Sequence, residues 1–382
     1  MAMLEAYTEI LRGLENESRL RAIPQHADGS LIDFTGNDYL GIAATGRVEN
    51  DFIAELAADP CPPPFTSVAS RLLASNQAEY QKLEQTLAEA YGKQALLFNS
   101  GYHANTGCVS ALAVPGTLLV TDKLVHASII DGVRMSGAPF RRFPHNDVER
   151  LRRLLKKEAA DYERVWVIVE SIYSKDGDIA PLREFVALKR EFPNVALYVD
   201  EAHGLGVRGR TGLGLCEELG LIDDADLIIL TFGKACASMG AAALCSPTLR
   251  DFLLNSARSF IFSTALPPVN AAYTRHSFNA LRLMCGEREH LADLAEKLRS
   301  GLEQITGEKN PSQSQIVPWM IGDNARAVEY ARRLREAGLL AMPIRRPTVA
   351  AGTERIRFSL SSALSSADID RLLSAIKAIS QS

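Results

Sequence analysis

The chain has 382 residues, enough for two or three domains around a sizeable core. Its formal net charge is −4, with Lys and Arg scattered apart from short pairs, which argues against a nucleic-acid footprint. Six cysteines (61, 108, 216, 236, 245, 285) make no Cys-x-x-Cys pair and no His/Cys cluster, so buried thiols in a reducing compartment are expected rather than a metal site.

Taken in chain order, the N-terminal stretch MAMLEAYTEILRGLENESRL is acidic and amphipathic and lacks the apolar run and cleavage site of a signal peptide. Residues 1–45 read as one helix and an extended arm. Residues 46–265 read as a large domain. Short apolar, β-branched runs at 95–99, 117–121, 139–143, 165–170, 195–200, 226–231 and 241–245 predict seven strands. Helical patterns such as 146–158 and 181–191 separate them. Strands that are apolar throughout, alternating with helices, imply an α/β fold whose mostly parallel sheet is covered on both faces. The nearly apolar stretch at 107–120 is too short to span a bilayer and holds Pro115 and Gly116, so a cytoplasmic chain with no membrane partner is expected. Beyond residue 265 the pattern changes. Helices at 266–284, 287–304, 324–337 and 366–380 alternate with strands at 315–320, 340–344 and 354–360, giving a smaller α+β domain over 266–382. Its last helix opens on a capping-box pattern at Ser365 and Asp368.

In parallel sheets ligands bind beyond the carboxyl ends of the strands. Asn99-Ser100-Gly101, Asp122, Glu170, Asp200 and Lys234 fall at such ends. Lys234 follows an apolar strand, where desolvation disfavours the ammonium and leaves a nucleophilic amine. Asp200 ends another strand. A lysine able to form a Schiff base and an aspartate able to hold a pyridinium nitrogen are the pair a pyridoxal phosphate (PLP) site requires.

Three other readings are weaker. Val199-Asp200-Glu201-Ala202-His203 matches a helicase-type Walker B box, but no phosphate loop precedes it. Gly204-Leu205-Gly206-Val207-Arg208-Gly209 matches a dinucleotide fingerprint literally, yet it is set off from the strand, and Arg208, Arg210 and Thr211 break any immediate helix. A metal on Asp200, Glu201 and His203 has no second cluster to complete it.

The strand-end motifs are Asn37-Asp38-Tyr39-Leu40-Gly41, Asn99-Ser100-Gly101-Tyr102-His103-Ala104-Asn105, Asp122-Lys123-Leu124-Val125-His126-Ala127-Ser128, Glu170-Ser171-Ile172-Tyr173-Ser174, Asp200-Glu201-Ala202-His203-Gly204 and Thr231-Phe232-Gly233-Lys234. In this order, over essentially the whole chain, they resemble the α-oxoamine synthases, fold-type-I PLP enzymes that condense an amino acid with an acyl thioester. Three further stretches, Phe143–Asp147, Phe262–Pro268 and Ile344–Arg357, look most like members that join L-alanine to a pimeloyl thioester, carried by CoA or by an acyl-carrier protein. Sister activities that use glycine or serine share the cofactor motifs.

The resemblance implies roles. Lys234 would tether PLP and act as general base, and Asp200 would hold the pyridine nitrogen protonated. His126 would stack on the ring, and His203 would bond the ring oxygen. Gly101, Tyr102 and Thr231 would hold the phosphate, with Thr264 reaching it from a partner subunit, which implies a homodimer. Glu170 and Ser174 would line the pocket. Asn37 and Arg357 would fix the amino-acid carboxylate, with Arg355 as competitor. His145, Arg345 and Thr348 would contact the acyl substrate or product, whose distal carboxylate calls for a cation such as Arg345, Arg19 or Arg21. The chain departs from its relatives in three places. Val68 and Ala69 lie in Thr66–Arg71 where relatives are glycine-rich, Ala237 stands where they often show glycine, and His103 stands where alanine is frequent.

Overall fold

The computed structural model describes residues 2–23 and 31–381. Residues 24–30 of the expected N-terminal arm lie outside them. The chain forms two compact units, one of residues 38–174 and 179–289, the other of residues 1–37, 175–178 and 290–382.

The larger unit is built on a seven-stranded sheet in the order Gln94–Phe98, Ala241–Cys245, Leu227–Thr231, Val195–Asp200, Arg164–Glu170, Thr117–Asp122, Phe140–Phe143. Ala241–Cys245 runs antiparallel to both neighbours, and the remaining pairs are parallel. Two antiparallel steps restore direction, so Phe98 ends on the same edge as Asp122, Glu170, Asp200 and Thr231. Glu170 lies opposite Asp200, and Asp200 opposite Ile229. Thr117–Asp122 and Ala241–Cys245 are buried at every position, which is why their sequences lack polar alternation.

Small residues decide how closely the covering helices approach. A Cβ on Gly132 would lie 2.8 Å from Val109 Cβ and 3.0 Å from the Asn105 carbonyl oxygen. Helix Ala127–Ser136 therefore seats tightly on helix Gly101–Leu112 and brings Ser128 beside Asn105. Helix Pro268–Leu283 also belongs to this unit, its Ser277 hydroxyl donating to the Cys236 carbonyl at 2.6 Å and Thr274 meeting Ser238 at 2.7 Å. The boundary thus falls after Glu289, inside helix Cys285–Thr306, rather than at residue 265 as the pattern change suggested.

The second unit holds a three-stranded antiparallel sheet, Met342–Ile344, Arg355–Ser359 and Ile316–Met320. Helix Ser366–Ser380 starts with the expected capping box between Ser365 and Asp368. Its arm belongs here as well: Ile32–Asp33 pairs in parallel with Leu339–Leu340. Segment 175–178 is anchored by Gly177, whose Cβ would sit 1.9 Å from the Ile316 carbonyl, and by the Arg355–Asp176 ion pair.

Two of the departures from the family pattern carry a backbone signature. Val68 has φ 54° and Ala237 φ 44°, left-handed values that glycine adopts without a steric penalty.

Candidate active site

Lys234 sits in the loop between Leu227–Thr231 and Ala241–Cys245. The loop is closed by backbone bonds from Phe232 to the Gly240 carbonyl (2.9 Å), from Ser238 to the Phe232 carbonyl (2.8 Å) and from Ala237 to the Lys234 carbonyl (2.8 Å). Half-buried, the lysine brings Nζ to 3.0 Å from Nε2 of buried His203, whose Nδ1 lies 2.6 Å from the hydroxyl of fully buried Tyr39. The amine is held at the sheet edge by a ring that is itself fixed from behind.

Asp200 ends its strand 3% exposed. Its Oδ1 accepts the Ala202 N–H at 2.9 Å and its Oδ2 the Asn105 amide at 2.8 Å. A carboxylate has about four lone-pair sites, so two neutral donors leave capacity for a cationic N–H. Glu201, the next residue, is fully buried and faces the other way, accepting from the Ser171 hydroxyl at 2.6 Å and the Cys216 N–H at 2.7 Å.

Ser100 caps helix Gly101–Leu112 by accepting the His103 N–H, and its hydroxyl lies 2.8 Å from His103 Nδ1. The helix N-terminus opens beside Thr231, whose Cγ2 would stand 2.3 Å from any Cβ at Gly101. Helix-terminal N–H groups next to a hydroxyl suit a phosphate. Tyr102 is half exposed and donates its hydroxyl to Asp131 at 2.8 Å, which raises the phenol pKa. His126 caps helix Ala127–Ser136 with its ring exposed and Nδ1 2.8 Å from the Ser128 hydroxyl. Glu170 is buried at the adjoining strand end and Ser174 is half-buried four residues on. Thr264 is exposed, and its carbonyl accepts from Asn99 at 2.6 Å.

The expected contacts for substrate divide. His145 lies just past Phe140–Phe143, three strands from Asp200, about 14 Å along the edge at the usual strand spacing. Its Nδ1 donates to buried Asp122 at 2.9 Å and its ring stands edge-on to Tyr173. In the second unit Arg357 donates to Asn37 Oδ1 at 3.0 Å, while its Nε is buried with no hydrogen-bond partner. Arg355 is committed to Asp176 and the Thr353 carbonyl. Arg345 donates to the carbonyls of Ser18 and Leu20, and burial together with Arg21 lowers its pKa. Thr348 is exposed and accepts from Arg21 at 3.2 Å.

Within the larger unit the sheet edge gathers Lys234, His203, Asp200, Thr231 and Gly101, with Glu170 opposite Asp200. The set fits PLP: an amine for its aldehyde, a buried carboxylate for its ring nitrogen and a helix N-terminus for its phosphate. Sequence reasoning passed over Tyr39, Asn105, Ser128 and Tyr198, although three of the four stand inside the quoted motifs. The dinucleotide-like glycines instead form turns that pack on the Lys234 loop, a Gly206 Cβ falling 2.6 Å from Ala235 Cβ. Among the described residues no His/Cys/Asp/Glu group could hold a metal ion, and no helix is long and apolar enough to cross a membrane.

The model of the aminotransferase class I and II family matches residues 30–376. A Pasteurella multocida protein named putative 8-amino-7-oxononanoate synthase is 43% identical, covering 99% of this chain and 100% of the relative. The 8-amino-7-oxononanoate synthase of Haemophilus ducreyi is 44% identical, covering 91% of each chain. The solved serine palmitoyltransferase of S. paucimobilis, with PLP–myriocin bound, superposes with a TM-score of 0.89 at 27% identity, covering 100% of this chain and 98% of the other. With a family model matched over most of its length and relatives above 40% identity over more than nine-tenths of it, the chain belongs to the aminotransferase class I and II family and, within it, to the α-oxoamine synthases that include the 8-amino-7-oxononanoate synthases.

Proposed function

We propose that the chain is a PLP-dependent acyltransferase that condenses L-alanine with a pimeloyl thioester, on CoA or an acyl-carrier protein, releasing thiol and CO2 and forming 8-amino-7-oxononanoate. The observation that carries the reading is the half-buried Lys234 amine, 3.0 Å from His203, one strand away from the buried Asp200 carboxylate. Identity of 43–44% to synthases of this name, against 27% to the serine palmitoyltransferase, favours alanine over serine.

When bound, PLP supplies an electron sink for negative charge at the substrate α-carbon. Lys234 would tether it and, as a free amine, would take the substrate α-proton. Asp200 would keep the ring nitrogen protonated, and His203 would bond the ring oxygen. His126 would cover the ring. The N–H groups of Gly101 and Tyr102, with the Thr231 hydroxyl, would hold the phosphate, while Glu170 and Ser174 would line the pocket. Asn37 and Arg357 fix the alanine carboxylate, a role supported by the buried, unpaired Arg357 Nε. The α-carbon would attack the thioester carbonyl with loss of the thiol, and Lys234 would return a proton after CO2 leaves.

His145 and Thr348 are assigned to the acyl chain. Arg345 gives two donors to the arm and Arg21 one to Thr348, so either guanidinium keeps N–H groups for the distal carboxylate. A homodimer, with Thr264 serving the second site, is supported by large apolar side chains left exposed in the larger unit: Phe65, Val68, Leu73 and Phe262 are 70–84% exposed.

Borohydride reduction of the PLP-loaded chain, followed by peptide mass analysis, should place one pyridoxyl group on Lys234. Lys234→Ala should abolish both label and turnover. A label on another lysine, or turnover retained in the variant, would contradict the assignment.

A further inference from the structure

Asn105 is 2% exposed in the middle of helix Gly101–Leu112 and has no place in the roles given so far. Its Nδ2 reaches Asp200 Oδ2 at 2.8 Å and Ser128 Oγ at 2.9 Å, and its Oδ1 meets the Tyr198 hydroxyl at 2.6 Å. An ionised carboxylate only accepts, so the amide nitrogen must face Asp200 and the amide oxygen must face Tyr198. Burial raises the Tyr198 phenol pKa well above its ordinary value, which keeps that hydroxyl a donor. Both Nδ2 hydrogens are then spent.

The consequence passes down the chain of bonds. Ser128 is fully buried, and its oxygen already accepts from Asn105. Its single proton is left for His126 Nδ1 at 2.8 Å. The Ser128 backbone N–H points at the same nitrogen from 3.3 Å. A ring nitrogen faced by two donors carries a lone pair, which puts the ring proton on Nε2.

We propose that Asn105 is a positioning residue that fixes the Asp200 carboxylate and, through Ser128, holds His126 as the neutral tautomer protonated on Nε2. It rests on the reading of Asp200 and His126 as PLP contacts. Asn105 and the Ala202 N–H grip the two oxygens of Asp200, so the carboxylate presents its remaining lone pairs in one orientation. A neutral His126 covers the ring without adding a second cation beside the protonated ring nitrogen.

The test is nitrogen NMR on the full chain labelled with 15N-histidine, with and without PLP, the His126 signals assigned by their loss in His126→Gln. The wild type should show His126 protonated on Nε2 and bare on Nδ1. Ser128→Ala leaves the backbone N–H as the one donor of residue 128 to Nδ1, so a minor Nδ1-protonated population should appear beside the wild-type form, and Asn105→Leu should raise the same population by freeing the Ser128 hydroxyl to turn. Asn105→Leu should also weaken PLP binding by roughly tenfold or more, the loss expected when a hydrogen bond to a charged group is removed. Ser128→Ala deletes one hydroxyl and keeps the test open should Asn105→Leu fail to fold. Wild-type His126 protonated on Nδ1, or a PLP affinity unchanged in Asn105→Leu, would overturn the proposal. The tautomer is read without turnover, so this result is independent of which product the enzyme makes.

Discussion

Glu201 and Asp200 are adjacent buried carboxylates that each accept two neutral donors from different neighbours. Glu201 is fully buried, and desolvation, outweighing the bonds from Ser171 and Cys216, raises its pKa above 4.5. The folded state therefore binds this proton more tightly than the unfolded state does. Its contribution to stability is greatest below about pH 4.5 and is lost as pH rises through the raised folded value. Glu201→Gln removes that titration, so urea unfolding should show the variant gaining on wild type from pH 4.5 to 7. A pH-independent difference would refute the assignment. Glu201→Ala instead orphans the Ser171 and Cys216 donors and should cost about 2–4 kcal/mol. At this scale the sequence singled out Lys234 and Asp200 by residue type, and the fold sets them at one sheet edge. The sequence was silent on Asn105 and Tyr39, whose importance lies in contacts across 95 and 164 positions.

The helix Gly101–Leu112 and the strand Leu227–Thr231 meet so closely that Gly101 has no room for a methyl group, with Thr231 Cγ2 only 2.3 Å from a built Cβ. Gly101→Ala should therefore weaken PLP binding by about tenfold or more, since the helix terminus must shift away from the Thr231 hydroxyl. Thr231→Ser deletes that methyl and keeps the hydroxyl, so the double variant should recover most of the affinity in a PLP titration. Additive losses would contradict the steric account. The strands were readable because burial on both faces strips polar alternation from their sequences. The reversed direction of Ala241–Cys245 was readable in principle and passed over. The link from Thr231 to Ala241 is shorter than the dozen or so residues a parallel crossover needs. The parallel pair Ile32–Asp33 with Leu339–Leu340 was not, since two-residue strands carry no period and their pairing spans most of the chain.

Across the whole molecule, burial sorts the thiols. Cys61 and Cys285 are exposed, whereas Cys108, Cys216, Cys236 and Cys245 are buried. Desolvation pushes Cys236 and Cys245 up to about 12 and Cys108 and Cys216 well above their ordinary value. At pH 8 a thiol reagent should modify two cysteines rapidly and the other four only on unfolding; a third fast thiol would contradict the burial pattern. The unit boundary was misplaced because helix Pro268–Leu283 follows a visible change of pattern yet packs, through Thr274 and Ser277, on the Lys234 loop. The acyl partner is the part of the function least written in local sequence, since its contacts are spread over separate segments. The most direct measurement is the product formed when the PLP-loaded chain meets pimeloyl-CoA and alanine labelled with 13C in its carboxyl group. Release of one labelled CO2 and one thiol per 8-amino-7-oxononanoate, with glycine and serine poorly used, is the expected result. Conversion of alanine to pyruvate without thiol release, or a clear preference for glycine or serine, would contradict it.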